Sequence, residues 1–177
     1  TGYWRSMYQL RGKLSIVMPA YNEEALIYNS IMQTLSIVEQ FAPDMEIIAV
    51  NDGSKDKTKQ EIERAIRDDA KQPHPVVPGM RVSGTRIKLV TSNKNRGKGN
   101  AIISGISQAE GDYIAFVDAD LELNPAQLEG YLKKMQESGS DVVIGCKFHK
   151  DSELHYPFVR KVISLGYYMM LLVLFHL

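Results

Sequence analysis

The sequence predicts an α/β protein in which a mostly parallel sheet carries helices on both faces. Short apolar runs alternate along the chain with longer segments whose apolar residues recur at helical spacing. This alternation is typical of strand–helix–strand units with parallel strands. With 177 residues, of which 44% are hydrophobic, the chain can bury one substantial core.

The first half of the chain predicts two strands and two helices. The strands cover residues 14–18 and 46–50, which are short and mainly apolar, and Pro19 closes the first. In the first helix, an apolar stripe at helical spacing predicts a buried face formed by Ile27, Ile31, Leu35 and Val38. The second helix is expected to bury Ile62, Ala65 and Ile66.

The second half predicts a loop, three strands and two helices. Residues 72–85 hold three of the seven prolines, which is typical of a loop. Strands are expected at 86–90, 113–117 and 141–145. The helix between the first two is expected to face the sheet with Ile102, Ile103 and Ile106. The last helix is expected to begin near Asn124 and Pro125 and to turn inward Leu128, Leu132 and Met135.

Composition limits the partners and the location of the protein. Lys+Arg and Asp+Glu both number 21, so no overall field attracts nucleic acid, and we expect no nucleic-acid partner. The single cysteine, Cys146, excludes an internal disulfide and fits a cytosol-facing location. Residues 1–13 lack the continuous apolar core of a signal peptide, and we interpret them as a short leader.

The last 16 residues, 162–177, contain no Lys, Arg, Asp or Glu. A helix that spans a bilayer needs about 20 apolar residues, so this segment favours a helix that lies at a membrane interface. A chain that stops inside an apolar run is also expected to be a fragment of a longer protein.

Three carboxylates follow the apolar run 113–117 directly: Asp118, Asp120 and Glu122. An unpaired carboxylate is very costly to bury, so these acids must lie where the strand leaves the sheet. In an open α/β sheet that edge is where ligands bind. Acids at alternate positions predict a Mg²⁺ or Mn²⁺ site that also contacts phosphate oxygens. The alternative is a solvated acidic turn.

Polar residues also follow the other predicted strands. The first strand leads to Tyr21, Asn22 and Glu23, the second to Asn51 and Asp52, and the third to Asn95, Arg96 and Lys98. The carboxyl ends of parallel strands meet at one edge, so these side chains are expected to lie together. The basic loop at a helix start suits a diphosphate. It lacks the third glycine of a dinucleotide fingerprint, and a solvated basic turn is the alternative.

Four segments, 14–24, 50–54, 95–101 and 118–120, resemble in their order and spacing the family 2 glycosyltransferases of GT-A fold. Within that family, the chain looks similar to the polyprenyl-phosphate sugar synthases, such as dolichol-phosphate mannose or glucose synthase. Between the leader expected at 1–13 and the end of the sequence, the resemblance implies a GT-A nucleotide-sugar-binding domain at 14–150 and an acceptor and membrane-proximal segment at 151–177. The apolar run at the end of the sequence predicts that this last segment is truncated.

The resemblance also implies roles for individual residues. A UDP- or GDP-linked sugar would contact Pro19, Ala20, Tyr21, Asn22, Glu23, Asp52, Arg96, Gly97, Lys98, Asp118, Ala119 and Asp120, with Asp52 bonded to the base. The metal ligands would be Asp118, Asp120 and Glu122. The acceptor phosphate would contact Lys147, Arg160 and Ser164, or these residues would form a basic face attracted to anionic lipid. The catalytic set would be Asp118, Asp120 and Arg160.

The implied activity is a metal-dependent, inverting transfer of a sugar to a polyprenyl phosphate, dolichyl or undecaprenyl, at the cytoplasmic face of a membrane. The acceptor phosphate is already anionic, so the reaction needs no strong general base. Two alternatives stay open. One is a family 2 transferase that acts on a glycan hydroxyl and therefore needs a base. The other is a nucleotide-binding module without catalytic activity.

Overall fold

The computed structural model describes residues 8–72, 85–145 and 167–170. The chain divides into two compact units, Thr1–Val143 and Ile144–Leu177. The predicted domain boundary after residue 150 lies outside the described residues. The predicted acceptor residues lie outside them as well, namely Lys147, Arg160 and Ser164.

The first unit is built from four strands and four helices. In chain order they are β1 (Leu14–Ala20), α1 (Ile27–Val38), β2 (Met45–Asp52), α2 (Thr58–Asp69), β3 (Ile87–Ser92), α3 (Lys98–Ile106), β4 (Tyr113–Phe116) and α4 (Gln127–Ser138). The strands lie in the order β3-β2-β1-β4, and each neighbouring pair is parallel. The chain therefore builds outward from β1 to β3 and then crosses to the other side of β1. In such sheets, ligands bind where the strand order reverses.

The sheet is covered by helices on both faces, as the sequence predicts. The larger core lies between one face and the helices α1, α2 and α4, and includes Ile16, Ile31, Ile47, Ile62 and Leu128. The smaller core lies on the opposite face beneath α3, and contains Val17, Ile48, Val50 and Ala101. Both faces of β1 and β2 are thus buried, which explains why these strands read as nearly continuous apolar runs.

Helix α3 presents small residues to the sheet. The predicted inner face is wrong for Ile103 and Ile106, whereas Ile102 is half-buried. Ile103 is 67% exposed and Ile106 is 38% exposed, whereas Ala101 and Gly105 are buried. A Cβ placed on Gly105 would lie 2.4 Å from Cγ1 of Val17. The helix packs so close to β1 that only small side chains fit between them.

The predicted fifth strand is also wrong. Residues 142–145 have no strand assignment, and Val142 and Ile144 are 74% and 80% exposed. Alternating apolar residues satisfy the strand period, but a strand also needs a neighbour to complete its hydrogen-bond ladder. Among the described residues, the sheet has the four strands above and no more.

The second unit is described only at its first two residues and over one helical turn at 167–170. The four side chains of that turn, Tyr167, Tyr168, Met169 and Met170, are all about half exposed. The rest of the predicted apolar helix at 162–177 lies outside the described residues. In the part of the chain that is described, no helix is both long and apolar enough to cross a bilayer.

A buried carboxylate fastens the chain ahead of β4 to the sheet. Oε1 of Glu46 accepts hydrogen bonds from the Ser15 hydroxyl at 2.7 Å and from the backbone N–H of Glu110 at 2.8 Å. Nζ of Lys88 lies 2.8 Å from Oε2 of the same carboxylate. Burial raises the pKa of Glu46, but the hydrogen bonds from Lys88 and Ser15 outweigh it, and the net shift of the pKa is downward.

Candidate functional site

A pocket of about 340 Å³ opens at the carboxyl ends of β1, β2 and β4, where the strand order reverses. Its lining is Pro19, Ala20, Tyr21, Glu23, Asp52, Asn95, Lys98, Ala101, Asp118, Ala119 and Asp120. The structure thus brings together most of the residues that the resemblance assigns to the nucleotide. Asn22, Arg96, Gly97 and Glu122 lie outside this lining.

Asp52, at the end of β2, holds the loop that leads into α3. Its Oδ1 accepts the backbone N–H of Arg96 at 3.0 Å, and its Oδ2 accepts the N–H groups of Arg96 at 3.1 Å and Gly97 at 2.8 Å. The side chain is buried, with 3% of the residue exposed. A charged acceptor with two backbone donors is a strong anchor. Asp52 therefore positions this loop in addition to lining the pocket.

The turn that follows Asp52 brings two backbones into close contact. Gly53 has φ +68°, and a Cβ added there would lie 2.3 Å from the carbonyl carbon of Lys94. Both the left-handed conformation and the lack of space require glycine at this position. The β2–α2 turn and the β3–α3 loop are consequently held in one arrangement.

Asn22 connects the β1–α1 loop to the β2–α2 loop. Its Oδ1 accepts the backbone N–H of Lys55 at 2.9 Å, and its own N–H donates to Oγ of Ser54 at 3.0 Å. The next residue, Glu23, donates its N–H to Oγ1 of Thr58 at 2.8 Å and lines the pocket. Asn22, a predicted nucleotide contact, thus lies outside the pocket lining. Its side chain instead fixes the loop that leads to Glu23 by accepting the hydrogen bond from Lys55.

The acidic turn after β4 is anchored by a buried serine. Oγ of Ser30, on α1, donates a 2.5 Å hydrogen bond to the carbonyl oxygen of Ala119. Leu121 adopts φ +51° and its N–H donates to the carbonyl oxygen of Asp118 at 3.1 Å, which closes the turn. Ala119 is buried in this turn while the two aspartates that flank it, Asp118 and Asp120, reach the pocket.

Lys98, the first residue of α3, forms an ion pair with Asp118 across the pocket. Its Nζ lies 2.6 Å from Oδ1 of Asp118. The Lys98 and Asp118 side chains are 62% and 50% exposed, so water screens the pair. The arrangement places a cation and two carboxylates within one cleft, which suits an anionic ligand and its counter-ion.

The predicted set of three carboxylates is not formed. Glu122 is exposed and lies outside the pocket lining, and its N–H donates to Oδ1 of Asp120 at 3.1 Å. Across the described ranges, no three His, Cys, Asp or Glu side chains are grouped to hold a metal ion. Asp118 and Asp120 remain. Mg²⁺ is commonly bound by one or two carboxylates with substrate phosphates and water, so this pair fits a divalent cation shared with a phosphate ligand.

Several residues that build the site were not predicted as site residues. Ala101 lines the pocket, and Ser30 and Thr58 support its loops. Ser30 had a recognisable signal, because it occupies an inward position of α1 and is 5% exposed. A polar side chain on a buried helix face needs a hydrogen-bond partner.

Comparison with known proteins decides the family. The family model described as Glycosyl transferase family 2 matches residues 15–171. The chain belongs to glycosyl transferase family 2. The resemblance expected from the four sequence segments is therefore confirmed, and so is the expected fold of parallel strands with helices on both faces.

Curated relatives of this family 2 chain include transferases named for a lipid phosphate. The undecaprenyl-phosphate 4-deoxy-4-formamido-L-arabinose transferase of Enterobacter sp. (strain 638) is 35% identical over 131 residues, which cover 74% of this chain and 36% of the relative. A protein of Mycobacterium tuberculosis described as putative glycosyltransferases is 32% identical and is covered to 35% of its length. The chain thus spans little more than a third of these relatives.

Solved structures share the fold of this family 2 chain. A mannosyltransferase from Pyrobaculum calidifontis, in complex with GDP-Man and Mn²⁺, superimposes with a TM-score of 0.57 at 21% identity. The match covers 76% of this chain and 36% of that one. S. aureus TarS 1–349 in complex with UDP gives a TM-score of 0.54 at 22% identity, over 78% of this chain and 40% of that one.

Proposed function

We propose that this family 2 chain binds a nucleotide-diphosphate sugar in the pocket and that the sugar is transferred to a polyprenyl phosphate. The observation that carries the proposal is the meeting of Asp118, Asp120 and Lys98 in one cleft at the reversal of the strand order. The acceptor class is supported by the relatives named as undecaprenyl-phosphate transferases.

The two ends of the pocket suit the two ends of a nucleotide. On the side of β1 and β2, Pro19, Tyr21 and Asp52 provide an aliphatic ring, an aromatic ring and a hydrogen-bond acceptor, which suit a base and ribose. At the start of α3, Lys98 and the first backbone N–H groups of the helix suit the diphosphate, because a helix N-terminus carries partial positive charge.

Asp118 and Asp120 are the residues that would hold Mg²⁺ or Mn²⁺ in this pocket. The cation would act as a Lewis acid and neutralise charge on the diphosphate. The charges in the pocket support this assignment. Without a cation, the two carboxylates of this turn would repel an anionic diphosphate. The Lys98 ammonium adds a second positive group on the same side.

The transfer itself needs an in-line attack by an oxygen of the acceptor phosphate on the anomeric carbon. A new C–O bond forms, the bond from that carbon to the diphosphate breaks, and its electron pair leaves with the nucleoside diphosphate. One displacement inverts the anomeric centre. Lys147, Arg160 and Ser164 stay the proposed contacts of the acceptor phosphate.

A lipid acceptor would bring this chain to the cytoplasmic face of a membrane. The exposed apolar turn formed by residues 167–170 supports a peripheral association, because such side chains favour the lipid interface over water.

The first test is calorimetric binding of UDP and of GDP, each in Mn²⁺ and in EDTA. We expect one nucleotide to bind only with metal, and Asp120→Ala to weaken that binding more than about tenfold, since one of two carboxylate ligands is lost. Glu122→Ala removes a carboxylate of the same segment from outside the pocket, and is expected to change the affinity less than about twofold. Equal binding in EDTA would contradict the metal assignment.

The acceptor is tested separately with a nucleotide sugar labelled in the sugar. We expect label to enter the lipid fraction when undecaprenyl phosphate is supplied. Label that enters a soluble oligosaccharide instead would show that the acceptor group is a hydroxyl. Binding of nucleotide with no transfer to either acceptor would support a binding module.

A further inference from the structure

Asp118 already has a cationic partner in the pocket. Nζ of Lys98 lies 2.6 Å from Oδ1 of Asp118, a charge-assisted hydrogen bond that joins the start of α3 to the end of β4. Both side chains belong to the pocket lining. If Asp118 also binds a divalent cation, that cation must share the carboxylate with the ammonium.

Sharing is unfavourable because two positive groups bound to one carboxylate repel one another. Without nucleotide, a metal ion that approaches Asp118 must therefore displace Lys98 or bind beside it, and either route weakens the affinity for the metal. The side chain of Lys98 is 62% exposed and unbranched, so it can move away from Asp118 without disturbing the core.

A diphosphate changes this balance. Lys98 lines the same pocket as the acidic pair, and it begins α3, whose N-terminal amides suit an anion. When phosphate oxygens occupy the pocket, the ammonium has a new partner of opposite charge. Asp118 is then released to the metal ion, and both positive groups neutralise the ligand.

We propose that Lys98 acts as an internal counter-ion for Asp118 and transfers to the diphosphate when nucleotide and metal bind. The inference rests on the proposed function, because it assigns the same pocket to a nucleotide diphosphate and a divalent cation. Lys98 thereby makes the binding of the two ligands cooperative: the cation binds weakly alone and more tightly with nucleotide. Linkage requires the nucleotide to gain the same factor from the cation.

The size of the effect follows from the exposure of the pair. An exposed ion pair of good geometry is worth up to about a fivefold change in an equilibrium constant. Loss of Lys98 should therefore raise the affinity for metal alone by about two- to fivefold. The ratio of the metal affinity with nucleotide to that without nucleotide should fall by a similar factor.

The experiment measures free Mn²⁺ by electron paramagnetic resonance during titration of the full chain, without nucleotide and with saturating UDP or GDP. Lys98→Met removes the ammonium and keeps the unbranched stem. Lys94→Met is the matched control, because it removes the same charge from the same loop at a residue outside the pocket lining. We expect Lys98→Met to bind Mn²⁺ more tightly than wild type without nucleotide. Lys94→Met should match wild type within about 1.5-fold, since its charge is exposed to solvent and screened by salt.

Unchanged or weaker binding of Mn²⁺ by Lys98→Met without nucleotide would overturn the proposal, and so would the absence of measurable Mn²⁺ binding in both proteins. Asp118→Asn should abolish the difference that Lys98→Met makes, since the competition needs the carboxylate. Failure of the proposed function has a different signature, in which wild type binds neither nucleotide with Mn²⁺. In that case the titrations without nucleotide still decide whether Lys98 competes with metal for Asp118.

Discussion

Removal of the Asp52 carboxylate should release the loop that leads into α3. Asp52→Ala leaves the backbone N–H groups of Arg96 and Gly97 without the acceptors that now lie 2.8–3.1 Å away. A hydrogen bond to a charged group contributes about 1.5–3 kcal/mol. The Gly97 N–H keeps a second acceptor, Oδ1 of Asn95 at 2.9 Å, so we expect Asp52→Ala to cost about 2 kcal/mol. Water that enters the space left by the carboxylate would recover part of this loss.

Asp52→Asn separates charge from shape. Oδ2 of Asp52 accepts both amides, so an asparagine oxygen in its place can keep both bonds but without the negative charge. We expect a loss of about 1 kcal/mol for asparagine, clearly smaller than the loss for alanine. Urea denaturation followed by circular dichroism gives both values, and hydrogen exchange of the Arg96 and Gly97 amides localises the change.

Asp120→Ala is the matched control, because it removes an exposed carboxylate from the same pocket lining. It should cost less than about 1 kcal/mol, as most surface substitutions do. The reasoning is refuted if Asp52→Ala also stays within about 0.5 kcal/mol of wild type, or if the two loop amides exchange no faster. Either result would show that the loop is held by other contacts.

Three further substitutions test the supports of the site and the acid sensitivity of the fold. Gly53→Ala should destabilise by more than about 2 kcal/mol, because its Cβ would meet the neighbouring loop backbone, whereas Gly130→Ala, inside α4 with open space around it, should stabilise by up to about 1 kcal/mol. Urea midpoints compare the two, and equal midpoints would contradict the close approach. Ser30→Ala should cost about 1–2 kcal/mol and weaken Mn²⁺–nucleotide binding several-fold, because the acidic turn loses its anchor, while Ser36→Ala on the exposed side of α1 should do neither. The pKa of Glu46 is lower in the folded chain than its usual value of 4.5, so the stability from its ionisation is complete above pH 4.5 and is lost as pH falls through the folded value. Unfolding free energies measured from pH 7 downward should show this loss, and Glu46→Gln should reduce the slope below pH 4.5.

The strands and the acidic turn could be predicted because their physical causes are local. Buried parallel strands read as apolar runs, and those at 14–18 and 46–50 appear within β1 and β2. The position of Asp118 and Asp120 at a strand end follows from the cost of burying a carboxylate. The pocket that they line was thereby placed at the correct edge of the sheet.

The predictions that differ from the structure concern features that depend on the surrounding structure rather than on residue type and spacing. The face of α3 could not be read from its isoleucines, since Val17 on β1 leaves space only for glycine at position 105. Residues 141–145 have the alternation of a strand, but no periodicity reports whether another strand lies beside them. Glu122 has the right spacing for a third metal ligand, and the turn at Leu121, with φ +51°, takes it out of the pocket lining.

The sequence by itself determined the alternation of strands and helices, the family and the edge of the sheet at which polar residues collect, because each depends on residue type and short-range spacing. Only the tertiary structure decided which polar atoms form hydrogen bonds with one another. Ser30 and Ala119 are separated by 89 positions, and Asp52 and Gly97 by 45. Helical and strand periods relate residues a few positions apart, so bonds over these separations are specified only when the packed core brings the loops together.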